Sequence, residues 1–515
     1  MFDLGTSFAA SVARDPDALA IVDGDVRLTY AAWFDRISRI VAGLDVIGLV
    51  AGDHLVTVLQ NRWEAATLHW ACQFAGLIVT PVNWRATADE IDYVITDSAA
   101  RAVAYEACTT EAVAAGEAAR ILPRIAIGCT PADGGIGFDT LLQRPAPPAR
   151  PRAKADSWSL MLYTSGTTAR PKGVPRRHRA ERAAAIAHVA QNLYGSGECT
   201  LGVMPLYHTM GVRSLLAMSL IGGIFVCLPR FDCATALALI ERERITNLYL
   251  VPTLYHDLVH HPDFARRDTH SVRKLGFAGA PMTDGLLKML TEAFTPELFV
   301  NHYGSSEIYT FTINRDAAAK AGSAGKAGIN QWVRVVTLGT GDPEALAPQG
   351  TEGEIIALAS SDEAFEGYWN RPEANAKALR DGWYFTGDTG YLAEDGDLFV
   401  TGRVDDMIIT GGENVSPVEI ESCLSLHPSV SEVAVVGLPD PRWGKIVVAF
   451  IRRGGPVAAD ALDAHCRASG LANFKRPRRY VFVRDIPKSP VGKLLRRKLV
   501  AGEYEVETAG NPHSA

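Results

Sequence analysis

Between residues 54 and 83 the chain reads HLVTVLQ (54–60), WEAATLHWACQFAGL (63–77) and IVTPVN (78–83), a β-branched run, an Ala-rich stretch of helical length and a second β-branched run. Two strands separated by a helix-length segment cannot close as a hairpin and instead pair in parallel across a covering helix. The pattern recurs at TLGVMP (200–205), IFVCLP (224–229) and NLYLVP (247–252), each followed by helix-like sequence. Over about residues 1–400 the predicted fold is therefore α/β, with layered, mostly parallel sheets and amphipathic helices on their faces. RPAPPARPRAKAD (144–156) reads as a surface connector.

After Gly402 a strand, a Gly-Gly turn, a helix and another strand follow one another closely, in VDDMIITGGENVSPVEIESCLSLHPSVSEVAVVGLPDP. Ser416 and Pro417, with Glu419 behind them, predict a helix start with Ser as N-cap and Pro at the first position. The expected division is a large domain, 1–404, and a small α+β domain, 405–515, hinged at Asp405.

Several function classes are disfavoured by composition. A net charge of −7 over 515 residues argues against a dedicated nucleic-acid binder. The basic runs at 170–182 and 474–498 are either solvated faces or a site for an anionic small molecule. Eight cysteines without CxxC spacing read as reduced thiols of a cytoplasmic protein. The N-terminus has no apolar core of a secretion signal, and the longest apolar run, 215–229, is too short to span a membrane and is broken by Gly222-Gly223. HDLVH (256–260) differs by one residue from a zinc-protease pattern, but Asp257 is short for the general base, and the segment reads as a helix end.

The chemistry is concentrated in YTSGTTARPKGV (163–174). Gly166 permits a tight turn that aims successive N–H groups at one anion. Thr164, Ser165, Thr167 and Thr168 add hydroxyls, and Lys172 adds a positive charge. The loop is not a Walker motif, because Pro171 stands where the second Gly should be.

This loop resembles the signature of the adenylate-forming enzymes, the superfamily of acyl-CoA synthetases, luciferases and peptide-synthetase adenylation domains. Ala169 replaces the Gly usual there, leaving the hydroxyls and Lys172 in place. Further segments resemble the family's other motifs in the same order: GAP (279–281), YGSSE (303–307), WYFTGD (383–388), GRVDDMIITGGENVSPVEIE (402–421) and PKSPVGKLLRR (487–497).

The resemblance implies ATP, Mg²⁺ and a thiol as reactants. Thr164 through Thr168 and Lys172 would cradle phosphates; Gly279, Ala280, Pro281, Tyr303, Gly304, Ser305 and Ser306 would surround the adenine; Asp388 and Arg403 would meet the ribose and phosphates; and Glu307 would serve the Mg²⁺. Lys493 would be the catalytic lysine, with Thr164, His208 and Glu307 beside the reaction. After adenylation the small domain would rotate about Asp405, replacing the Lys493 loop by Gly411 and Gly412. Only 22 residues follow Lys493, too few for a carrier domain, so free coenzyme A is the expected thiol, with Trp443, Lys475, Arg476, Arg478 and Arg85 as its contacts. Core packing is the competing role for Trp443.

Within the family the chain is most similar to 4-chlorobenzoate- and benzoate-type CoA ligases, through MPLYH (204–208), FEGYWNRPEA (365–374), RWGK (442–445) and FKRPRRY (474–480). The acyl pocket implied is His208, Met210, Tyr249, Ala278, His302 and Tyr309. His302 and Tyr309 are more polar than a halogenated ring requires, so a hydroxylated or heteroaromatic acid is expected. The partners expected are a small carboxylic acid, ATP and CoA, with no nucleic acid or membrane, and a homodimeric assembly. Competing readings are a fatty-acid CoA ligase, an enzyme loading a separate carrier protein, and a non-catalytic nucleotide-binding module.

Overall fold

The computed structural model describes residues 1–131, 134–164, 170–404, 407–410, 413–489 and 494–507. Ser165, Gly166, Thr167, Thr168, Asp405, Gly411, Gly412 and Lys493 of the expected site lie outside these residues.

The β-branched run at 54 forms the strand His54–Val58, which pairs in parallel with Ile78–Pro81 and Ala102–Glu106 at the centre of a seven-stranded sheet. One edge of that sheet is an antiparallel hairpin, Trp158–Thr164 with Lys172–Arg177. A fourteen-stranded sheet contains the other expected strands, Cys199–Gly202, Ile224–Cys227 and Asn247–Leu250, continued by Lys274–Ala278 and Leu298–Tyr303, all in parallel register. Beyond Tyr303 the expectation of mostly parallel pairing fails. Thr312–Asn314, Ser323–Ala327, Leu398–Arg403, Trp383–Leu392, Gly353–Leu358 and Val333–Val336 pair antiparallel. No helix-length crossover separates Leu298–Tyr303 from Thr312–Asn314, that strand from Ser323–Ala327, or Trp383–Leu392 from Leu398–Arg403, and parallel pairing needs such a crossover.

The helices between the sheets also depart from the amphipathic expectation. All 13 residues of Trp63–Ala75 are buried, as are most of Thr209–Ile221. One hydrophobic core draws Leu55, Val79 and Leu160 from one sheet and Ile21 and Phe225 from the other, around Trp33, Trp70, Phe74 and Leu215. These helices are thus a middle layer, mostly apolar, as a helix enclosed on all sides must be, with buried polar side chains such as Gln73 and Arg213 among them. Each large side chain there contributes about 2–3 kcal/mol by leaving water. The apolar run at 215–229 splits at Gly222, whose φ of +71° ends the helix before the strand Ile224–Cys227 begins. Among the described residues, no helix is long and apolar enough to cross a membrane. The eight cysteines are free thiols.

Leu398–Arg403 closes the large sheet, and Ile408–Thr410 opens a separate five-stranded sheet with Glu413–Val415, Val430–Asp440, Gly444–Arg453 and Arg479–Phe482. The helix Pro417–Ser425 begins at Ser416, as read from the sequence, but the Ser416 hydroxyl donates to the Thr401 carbonyl instead of capping its own helix. This helix lies against Asp284–Phe294 of the large unit. Gly285 N–H reaches Ser425 Oγ at 3.5 Å, and Ser422 Oγ reaches Asp284 Oδ1 at 3.5 Å. A Cβ on Gly285 would come within 2.5 Å of the Ser425 carbonyl oxygen.

Candidate active site

The chain runs from Cys199–Gly202 to Ile224–Cys227 on one side of it, then returns to Asn247–Leu250 on the other. Such a reversal opens a crevice at the carboxyl ends of the strands, the place where open α/β sheets bind ligands. Met204, Met210, Tyr249, Val251 and Ala278 pack together there. His302 joins them, paired in register with Ala278 and with its ring 5.2 Å from that of Tyr249. Four of the expected acyl-pocket residues, Met210, Tyr249, Ala278 and His302, are thereby brought together, and His208 caps the helix Thr209–Ile221 by accepting the Met210 N–H at 3.3 Å.

Tyr309 has contacts that the sequence reading did not assign. Its ring lies 4.1 Å from the Arg176 guanidinium carbon and 5.5 Å from that of Arg213, and its hydroxyl donates to Glu181 at 3.1 Å. The phenol hydroxyl is engaged in a buried charge network. Arg176 is fully enclosed; it pairs with Glu181 at 2.7 Å and donates to the Glu307 carbonyl at 2.8 Å and the Glu363 carbonyl at 2.6 Å.

The nucleotide candidates converge from separate elements. Tyr303 ends its strand, and its hydroxyl donates to Asp388 Oδ2 at 2.6 Å. Asp388 faces Arg403 across neighbouring strands, at 3.0 Å from its guanidinium. Gly304 is required by close approach, since a Cβ would stand 2.1 Å from the Tyr309 carbonyl oxygen. Ser305 Oγ accepts the Glu307 N–H at 3.2 Å, fixing the turn that carries that acid, and Ser306 lies between them. Gly279, at φ +84°, Ala280 and Pro281 follow the strand end at Ala278 and are half-buried or exposed.

Thr164 pairs with Lys172 across the hairpin that frames residues 165–169. Lys172 Nζ sits 3.9 Å above the Tyr368 ring, and partial burial pushes its pKa down against the opposing pull of Glu307. Tyr368 in turn donates to Glu307 Oε1 at 2.7 Å. The sequence reading assigned no role to Tyr368 or Arg176. No local signal marks Arg176, since burial along KGVPRR is continuous over its four inner residues.

On the small unit, Thr410 pairs with Gly444, the residue after Trp443. Trp443 is 43% exposed, which overturns core packing as its role. Lys475 is held by Glu419 at 2.7 Å and Arg476 by Asp463 at 3.1 Å, while Arg478 reaches the Asn473 carbonyl at 3.4 Å. Arg85 stacks on Trp84 at 3.8 Å.

HDLVH ends the helix Pro252–Val259, as expected. His256, Asp257 and Glu432 stand close enough to share a cation. Glu432, however, already lies 2.8 Å from Lys488 and 2.7 Å from Arg452, and a carboxylate so neutralised is a poor metal ligand.

Residues 8–369 match the AMP-binding enzyme family, and residues 419–493 match the AMP-binding enzyme C-terminal domain. The chain is 35% identical to a 4-chlorobenzoate–CoA ligase of an Arthrobacter species, over 95% of this chain and 93% of that one. It is 33% identical to the long-chain-fatty-acid–CoA ligase FadD13 of Mycobacterium tuberculosis, over 92% and 93%. The crystal structure of the anthranilate CoA ligase AuaEII in complex with anthranoyl-AMP superposes with a TM-score of 0.91 at 25% identity, over 97% of both chains. With the fold, the motif order and these matches in agreement, the chain belongs to the AMP-binding enzyme family of the adenylate-forming superfamily and is an acid–thiol ligase.

Proposed function

We propose that this enzyme activates a small aromatic acid in two steps, forming an acyl-AMP from ATP and then the acyl thioester of coenzyme A. The observation that carries the first step is the convergence of Tyr303, Asp388, Arg403, Lys172 and Glu307 on one crevice. A carboxylate attacking an α-phosphorus brings two anions together, so the work is positioning and charge neutralisation. Lys172 and the hydroxyl loop after Thr164 would hold the β- and γ-phosphates, and Asp388 would accept from the ribose. Glu307 fits a magnesium ion, because a single carboxylate oxygen alongside nucleotide phosphates is the donor set that ion takes. Bound Mg²⁺ would supply neutralisation of the phosphate charge; Tyr368 keeps Glu307 aimed at its place.

Coenzyme A as the thiol is supported by Trp443, an exposed aromatic next to the Thr410–Gly444 pair. An aromatic acid is favoured over a long alkyl chain by the rings of Tyr249 and His302 lining the crevice. A fatty acid is the second reading, supported by the FadD13 relationship.

The test is AMP release by purified enzyme with ATP, Mg²⁺ and a panel of benzoates, cinnamates and fatty acids, with and without CoA. CoA-dependent AMP from benzoates is expected; turnover only of long alkanoates would sink the aromatic reading. Lys493→Ala is expected to lower ATP–pyrophosphate exchange about a hundredfold, while thioester formation from supplied acyl-AMP stays within a few-fold. Equal loss in both half-reactions would remove Lys493 from its adenylation role. Tyr368→Phe removes one hydrogen bond to a carboxylate and is expected to raise the Mg²⁺ concentration for half-maximal exchange about tenfold. An unchanged Mg²⁺ dependence would count against Glu307 as the metal's carboxylate.

A further inference from the structure

His188, on the helix His178–Gln191, stands where the acyl crevice meets the large sheet. Its ring centroid lies 4.7 Å from that of Tyr249 and 5.2 Å from that of His302, making a closed triangle of rings. Asn192 locks the two imidazoles. Its Nδ2 lies 2.8 Å from the His188 carbonyl oxygen and 2.9 Å from His188 Nδ1, and these two acceptors use its two hydrogens. Nδ2 also lies 3.1 Å from His302 Nε2, but with both its hydrogens taken by those closer acceptors, His302 Nε2 is left to donate to Asn192 Oδ1 at 3.2 Å.

This assignment fixes both tautomers. His188 carries its proton on Nε2, and His302 leaves Nδ1 as an acceptor. Both nitrogens are buried, and neither has a hydrogen-bond partner among the described residues. Burial and the nearby Arg213 guanidinium push both imidazoles well below their ordinary range, so they are neutral at physiological pH. Arg213 itself is occupied, donating to Tyr249 Oη at 3.0 Å, Thr310 Oγ1 at 2.8 Å and the Tyr309 carbonyl at 3.1 Å.

A buried N–H and a buried acceptor left unmet each carry a free-energy penalty unless a ligand supplies the missing partner. One donor and one acceptor are the complement of a hydroxyl group, which both accepts and donates. An aromatic amine can donate, but its conjugated lone pair accepts poorly; halogens and methyl groups offer neither. We propose that His188 and His302 read a hydroxyl on the acyl group and that the preferred substrates are hydroxylated aromatic acids. This rests on the acyl-CoA ligase reading above and names the substrate class of that same site.

The decisive measurement is kcat/KM for CoA-dependent AMP release with 2-, 3- and 4-hydroxybenzoate against benzoate, the matching aminobenzoates, 4-chlorobenzoate and octanoate. The best hydroxybenzoate is expected to exceed benzoate by about a hundredfold or more, because a pocket built to hydrogen-bond a hydroxyl rejects the analogue lacking it. In His188→Phe and His302→Leu that ratio is expected to fall at least tenfold, and in the less disruptive His302→Gln to fall by less. A preference of the wild-type enzyme for benzoate, an aminobenzoate, 4-chlorobenzoate or octanoate would overturn the inference while leaving the ligase reaction standing. So would a ratio unmoved by either imidazole substitution. AMP release from none of these acids would overturn the reaction reading itself. The wild-type comparison needs no variant to fold.

Discussion

Between pH 7 and pH 5 the folded enzyme is expected to lose most of its stability. Burial holds His54 at about 4, His69 at about 3 and His178 at about 4, and His188 and His302 well below their usual value. Unfolded imidazoles take up their proton near pH 6.5. Between that pH and the folded values the unfolded chain binds more protons, so stability rises with pH and falls as the solution is acidified. Each such group costs about 1.4 kcal/mol per pH unit below 6.5, or about 2 kcal/mol at pH 5. Five of them approach the whole stability of an ordinary domain, about 5–15 kcal/mol. Asp23, Glu64 and Glu363, whose carboxyls burial raises, act in the opposite sense, but from a lower starting point. Urea unfolding at pH 7, 6 and 5, followed by tryptophan fluorescence, measures the effect. A midpoint constant over that range would mean that these imidazoles take protons in the folded state.

Arg176→Met is expected to destabilise the large unit by about 3–5 kcal/mol, because it leaves Glu181 buried without its cation. The loss reaches further than one ion pair. The same guanidinium holds the Glu307 and Glu363 carbonyls, which come from segments 131 and 187 residues away in sequence. It also lies against the Tyr309 ring. Arg176→Met combined with Glu181→Leu removes both charges and is expected to recover much of the loss, since a buried pair can be replaced by apolar groups at little cost. If the double variant is no more stable than the single one, the effect belongs to the two carbonyl contacts instead of the charge. Urea denaturation of the three proteins separates these outcomes.

How much of this was legible from sequence follows from the range of the interactions. The strands at 54, 78, 200, 224 and 247 announce themselves through local β-branched runs, and the nucleotide residues through short contiguous motifs. The antiparallel half of the large sheet was misread, because pairing direction depends on turn geometry and not on side-chain pattern. Arg176 looked like a member of a solvated basic run, since nothing local distinguishes an arginine that meets its acceptors across more than a hundred residues. The same holds for His188 and Asn192, which acquire meaning only beside His302, 110 residues on from Asn192. Tyr309 was read as a wall of the acyl pocket, and in the structure its ring also lies against Arg176 and Arg213. Trp443 shows the reverse case: its exposure between two strands could not be told from burial by sequence.

The seam between Asp284–Phe294 and Pro417–Ser425 has a consequence for how readily the two units can exchange orientations. Among the described residues, the two hydrogen bonds between these helices, at 3.5 Å, are at the outer limit of useful length, and at Gly285 backbone meets backbone without a side chain between. Interlocked side chains would have to be withdrawn before either surface could slide, adding a barrier to every turnover. A smooth glycine contact works as a bearing, which supports load without setting position. A rotation of the small unit of the kind the family resemblance implies would meet little resistance at this seam.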